Sequence, residues 1–165
     1  GEDAELRYAP HATYDFVAEV DGERFVGRVQ DAPALESIPE LHPAQGYVQL
    51  AAGQELLLTR AAVPAGAERT LGFVTVFPVS AEGQKGQPTY SNVPTTPLDF
   101  LLAVANPAEL RTAQVLVPGT AFPAAGSTYL VSFQSVRMGG AESDNLFVGS
   151  ALLAGTSDVG VVRTQ

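Results

Sequence analysis

The chain has 165 residues, 45% hydrophobic and 16% charged, with 16 Gly, 12 Pro and no Cys; this is the size of one ordinary domain and too apolar a composition for disorder. A formal net charge of −9, with nine Lys plus Arg spread along the chain, leaves no basic stripe for nucleic acid or an anionic membrane. The lack of cysteine removes disulfides, thiolate nucleophiles, zinc–thiolate centres and iron–sulfur clusters together.

No apolar run reaches the ~18 residues of a membrane helix, so the chain is read as a single soluble domain over 1–165 and not as an integral membrane protein. It opens on Gly1-Glu2-Asp3 without methionine or a cationic, apolar leader. That start reads as a mature or trimmed product. With Thr, Gly, Pro and small apolar residues dominating, we expect an exported protein of the cell surface, periplasm or extracellular space.

The first predicted element is a hairpin over 14–29. Asp21-Gly22 suits a two-residue type I′ turn, in which both residues need positive φ. That loop sets Tyr14, Phe16, Ala18 and Val20 against Val29, Gly27, Phe25 and Glu23 on one face. On the other it sets Asp15 opposite Arg28, Val17 opposite Val26 and Glu19 opposite Arg24. Both charge pairs come out opposite in sign, whereas a one-residue slip would lose them and mix the faces.

Residues 31–43 hold Pro33, Pro39 and Pro43 and read as a long crossover loop, a candidate functional segment. Further strands are predicted at 46–50, 55–60, 70–79, 113–117, 128–138, 146–153 and 159–164. Breaks fall at Ala52-Gly53, Pro64-Ala65-Gly66, 83–88, Pro118-Gly119, Ala125-Gly126, Gly139-Gly140 and Gly155, and 84–92 reads as a polar loop holding Tyr90. Thr96-Pro97-Leu98-Asp99 is a helix start signal ahead of 98–105, with Asn106-Pro107 as the stop, so this stretch reads as one short helix or else a strand. The cadence of 69–77 returns at 127–133 but defines no repeat. The whole predicts an all-β fold: an immunoglobulin-like sandwich or Greek-key barrel of about eight strands with at most one short helix.

Val20-Asp21-Gly22, followed after a connection by Gly46-Tyr47-Val48-Gln49-Leu50-Ala51-Ala52-Gly53 and an apolar strand, resembles an uncharacterised family of bacterial cell-surface β-sandwich modules. The resemblance covers about residues 4–59 and implies surface location and an immunoglobulin-like sandwich; the connection over 31–44 is longer than that pattern.

Candidate chemistry is sparse. The two histidines, His11 and His42, are copper candidates if they converge with Asp31, Glu36, Glu40 or Met138. They cannot supply the histidine cluster of a copper–zinc dismutase, and no Gly-x-Ser-x-Gly elbow is present. Glu142, Asp144 and Asn145 sit on a glycine-rich turn as calcium candidates, although the spacing matches no EF-hand. Tyr47, Tyr90 and Tyr129 are the aromatics of a ligand platform if they are exposed.

Three functions are therefore expected. The first is a structural or interaction module of a bacterial cell envelope or surface-layer assembly, meeting envelope proteins or its own copies. The second is a copper-only superoxide dismutase-like redox enzyme, which the charge of −9 disfavours by repelling superoxide. The third is a carbohydrate- or ligand-binding module.

Overall fold

The computed structural model describes residues 7–141 and 152–165. In chain order the elements are β1 (Tyr14–Val20), β2 (Glu23–Val29), β3 (Val48–Leu50), β4 (Leu56–Thr59), β5 (Leu71–Val79), β6 (Tyr90–Ser91), α1 (Pro97–Ala105), β7 (Gln114–Val117), β8 (Thr128–Ala141) and β9 (Leu152–Thr164). The architecture is an all-β sandwich, as the patterning predicts. Seven strands form one sheet and the β4–β7 ribbon forms the other.

β8 is the spine of the large sheet. It runs antiparallel to β5 over Thr128–Val136 along one edge and to β9 over Thr128–Gly139 along the other. β6 borders β5, and β3 lies parallel to β9. At the far end of β8, Gly140 and Ala141 pair with Arg28 and Gly27, which attaches the β1–β2 hairpin to the sheet.

The hairpin has the predicted register, from Tyr14 opposite Val29 to Val20 opposite Glu23. Asp21 (φ 52°) and Gly22 (φ 82°) adopt the two positive φ values of the type I′ turn.

The core lies between the sheets, built by period-2 alternation. Val74, Val76, Tyr129, Val131, Phe133 and Val162 point down from the large sheet onto Leu56, Leu58, Val115 and Val117 of the ribbon, with Phe122 at one end and Ile38 and Leu41 closing the other. The opposite face of β5 buries Leu71 and Phe73 with Val136, under Val93 and Leu110. A strand covered on both faces carries a near-continuous apolar run, and in β5 only Thr75 interrupts it. Each fully buried side chain of this size contributes about 1.5–3 kcal/mol.

The structure corrects three local expectations. β8 continues through Gly139-Gly140, and β9 runs through Gly155 without a break. Gly139 and Gly155 mark close approach and not turns: a Cβ on Gly139 would collide with the backbone carbonyl of Arg28, and one on Gly155 would lie 3.0 Å from the Ser135 carbonyl oxygen. The third correction is in the polar loop 84–92, whose end forms β6 because Asn92 and Thr89 bond the free edge of β5. The 98–105 stretch is helix: Thr96 caps it, its hydroxyl accepting from the Asp99 N–H at 3.1 Å and donating to the Asp99 carboxylate at 2.7 Å. Among the described residues no helix is long and apolar enough to cross a membrane.

The tightest contact between β9 and the crossover loop is at Gly160, where a Cβ would stand 2.7 Å from Cβ and 2.8 Å from the carbonyl oxygen of Leu41. Gly160→Ala is expected to cost about 1–3 kcal/mol in urea unfolding. The exposed neighbour change Val159→Ala should cost well under half of that; equal costs would show that the contact does not govern packing there.

Candidate functional site

The chain's polar side chains gather where the 31–43 loop crosses from β2 to β3. Each ionisable residue of that loop is bonded to another part of the chain: Asp31 to β8, Glu36 and Glu40 to the end of β4, and His42 to β9. At the loop's start, Asp31 takes a positive φ of 53° and His11 one of 63°. The two meet, His11 Nδ1 lying 2.8 Å from Asp31 Oδ1, and Arg137 of β8 donates to the other oxygen at 2.9 Å. The His11 hydrogen bond, with the Arg137 charge behind it, holds the Asp31 carboxyl below the usual carboxylate range.

Deeper in, Arg60 enters from the end of β4. Its side chain is 0% exposed and that of Glu36 11%. Glu36 receives a bidentate fork, Nε to Oε1 at 3.1 Å and Nη2 to Oε2 at 2.7 Å. Nη1 donates to the Thr70 carbonyl at 2.9 Å and Nη2 to the Thr70 hydroxyl at 2.7 Å. That hydroxyl lies 2.7 Å from the Ser135 hydroxyl, and the guanidinium covers the Phe133 ring at 5.2 Å. Farther along the loop, Glu40 accepts the Thr59 N–H at 3.0 Å. His42 Nε2 donates to Asp158 of β9 at 2.7 Å, and buried Asp158 also accepts the Ile38 N–H at 2.7 Å.

His11, Asp31, Glu36, Arg60 and Arg137 line a cleft of about 390 Å³ whose walls include the apolar Leu35, Val63 and Pro64. Its charges are matched within the protein: Asp31 to Arg137, Glu36 to Arg60, and Glu68 to Arg111. Arg69 is bonded to the Ala61 carbonyl. Such a network ties the loop to the strands around it.

The copper candidates do not converge. His11 is bonded to Asp31 and His42 to Asp158; Glu36 and Glu40 are bonded to Arg60 and to the Thr59 N–H; Met138 packs on the Leu71–Phe73–Val136 cluster. Among the described residues no group of three or more His, Asp or Glu side chains is placed to hold a metal ion. The calcium candidates Glu142, Asp144 and Asn145 lie outside the described residues. The three tyrosines form no platform: Tyr129 is buried in the core with its hydroxyl accepting the Ala124 N–H, Tyr47 stacks under Arg163, and Tyr90 is half-buried against the core.

Sequence reasoning missed Asp158 and Arg60. Asp158 sits in a serine–aspartate–valine run of a strand and Arg60 at a strand end, so neither carries a local signal. A lone charge inside an apolar strand pattern is the one hint that was legible.

The outer strand of the hairpin is the most open element among the described residues. β1 is exposed on both faces, with Phe16 42%, Val17 50% and Val20 55% exposed. Its base is held by Tyr8 stacked on Tyr14 at 5.8 Å, the Tyr8 hydroxyl donating to the Pro33 carbonyl at 2.6 Å, and by Asp15 accepting from Arg28 at 2.6 Å. No protein-family model, curated protein or solved structure matches the chain.

Two outcomes follow from the network. Arg60→Met strands the Glu36 carboxylate and is expected to cost about 3–5 kcal/mol in chemical denaturation, while the paired change Arg60→Met with Glu36→Leu should recover much of that loss; no recovery would mean the pair is not the unit. For Asp31, the folded-state pKa lies below the unfolded value of about 3.9, so its stabilisation is complete at neutral pH and is lost as pH falls through the folded-state value. Asp31→Asn should therefore lower the melting temperature at pH 6 and lose that effect near pH 2; a deficit unchanged with pH would refute it.

Proposed function

We propose that the chain is an interaction module of a bacterial cell-envelope or extracellular assembly, of the surface-layer kind. The observation that carries this reading is the β1–β2 hairpin, which stands out from the sandwich with Phe16, Val17 and Val20 in water. Monomeric proteins seldom leave apolar side chains grouped on an open strand, because burial of that surface is the main driving force of association.

Three further features support the reading. Glu36 and Asp31 of the cleft are paired with Arg60 and Arg137, and the Asp31 pair ties the chain just after β2 to β8. Leu57 and Leu116 form an exposed cross-strand pair on the outer face of the β4–β7 ribbon, a second apolar surface. The resemblance of the segment 4–59 to cell-surface sandwich modules, and a composition with one lysine and no cysteine, point to the envelope.

The test is site-specific photo-crosslinking in the producing cell followed by fractionation. A photoreactive residue in place of Val17 is expected to give a discrete adduct in the envelope or secreted fraction, whereas one in place of Gln87, exposed in the loop before β6, gives none. Protein confined to the cytosol with no adduct from Val17 would overturn the proposal.

A further inference from the structure

We infer that the open edge of β1 takes up an extended segment of a partner chain carrying Lys or Arg four residues apart, with apolar residues between. The inference rests on the interaction-module reading and adds the partner's chemistry.

In a two-residue hairpin the residues flanking the turn, here Val20 and Glu23, form a hydrogen-bonded pair, and bonded and non-bonded pairs alternate from there. Ala18, Phe16 and Tyr14 therefore bond inward to β2. Asp15, Val17 and Glu19 direct their N–H and C=O groups away from it, and no described residue pairs with that side of β1. Of the other edge strands β3 has three residues and β6 two, and the outer side of β9 beyond β3 is crossed by the 31–43 loop at Thr156, Asp158 and Gly160. β1 offers seven, with no proline, lysine or bulge to block addition of a strand.

The side chains set what the incoming strand carries. Residues opposite one another in a ladder share a face. A strand paired with β1 therefore meets the carboxylates of Asp15 and Glu19 at two positions four apart, with Val17 between them. On the other face it meets Phe16 and Ala18, with Val20 beyond. Asp15 is half exposed and already accepts from Arg28, yet a carboxylate has about four acceptor sites, so a second cation can bond it from the open side. Cationic positions opposite Asp15 and Glu19, and apolar ones opposite Phe16, Val17 and Ala18, complete both faces. The pattern is symmetric, so it serves a parallel or an antiparallel strand.

A second copy of this chain fits worse. Antiparallel pairing of β1 with itself along its full length sets Asp15 opposite Glu19 of the other copy twice, between chains that each carry −9.

The full chain, isotopically labelled, is titrated with the peptide Thr-Lys-Val-Ile-Val-Lys-Thr and with its counterpart bearing Glu in place of both lysines. Binding is followed by fluorescence anisotropy and amide exchange by NMR. The lysine peptide is expected to bind and to slow exchange at Asp15, Val17 and Glu19 by about tenfold or more, while the glutamate peptide does neither. Val17→Pro removes one outward N–H without touching the hairpin's own bonds; it should abolish binding while core amides such as that of Val131 keep their shifts.

Failure of the lysine peptide to bind, binding without protection of those three amides, or equal binding of both peptides overturns the inference. Protection of the same amides that grows with protein concentration alone would overturn it in favour of a second copy. If the peptides fail while Val17 still crosslinks in the envelope, the module reading stands without this partner chemistry. If the peptide binds and no crosslink forms, the edge chemistry stands and the envelope role falls.

Discussion

Arg60 enters the protein at the end of β4 with its whole side chain removed from water, and a guanidinium so placed needs partners for its donors or the fold loses several kcal/mol. Its partners are spread across the molecule: Glu36 from the crossover loop, the carbonyl and hydroxyl of Thr70 at the start of β5, and the Leu110 carbonyl beyond α1, with Phe133 of β8 beneath. One buried charge thus fixes the separation of the two sheets and the path of the loop between them. Gly72 on β5 has no side chain because the guanidinium occupies that space, 3.0 Å from where a Cβ would stand.

The crossover loop gains its order from the same logic. It buries Ile38 and Leu41 in the core, and its carboxylates and His42 bond to β4, β8 and β9. A polar loop rich in acids and histidine resembles a binding segment in sequence, yet here it is a strap. Its ionisable side chains are bonded within the protein, Glu36 to the buried Arg60 and His42 to the buried Asp158, since an unpaired buried polar group costs more than a paired one contributes.

The hairpin is organised differently. Its root is held by stacking and ion pairs, its middle by cross-strand pairs, and its outer strand by nothing described beyond β2. Stability is thereby concentrated in the sandwich and open bonding capacity in β1, an arrangement suited to a part that gains its final contacts on association.

Much of this was settled locally. The Asp21-Gly22 turn fixed the hairpin's register residue by residue, because a type I′ loop allows one pairing and the charges agree with it. Thr96-Pro97 and Asp99 fixed a helix start through bonds within one turn. Period-2 alternation placed the strands, and the absence of cysteine removed whole classes of chemistry. What the sequence alone could not determine are facts of non-local geometry. Gly139 and Gly155 read as breaks but lie within strands, because what excludes a side chain there is the backbone of a partner strand. Whether His11 and His42 would meet was not written in their neighbours; each is bonded to its own aspartate, His11 to Asp31 and His42 to Asp158, the latter 116 residues away along the chain. Which polar group meets which is decided by how the sheets stack, and that stacking follows from the whole pattern of burial and from no single segment.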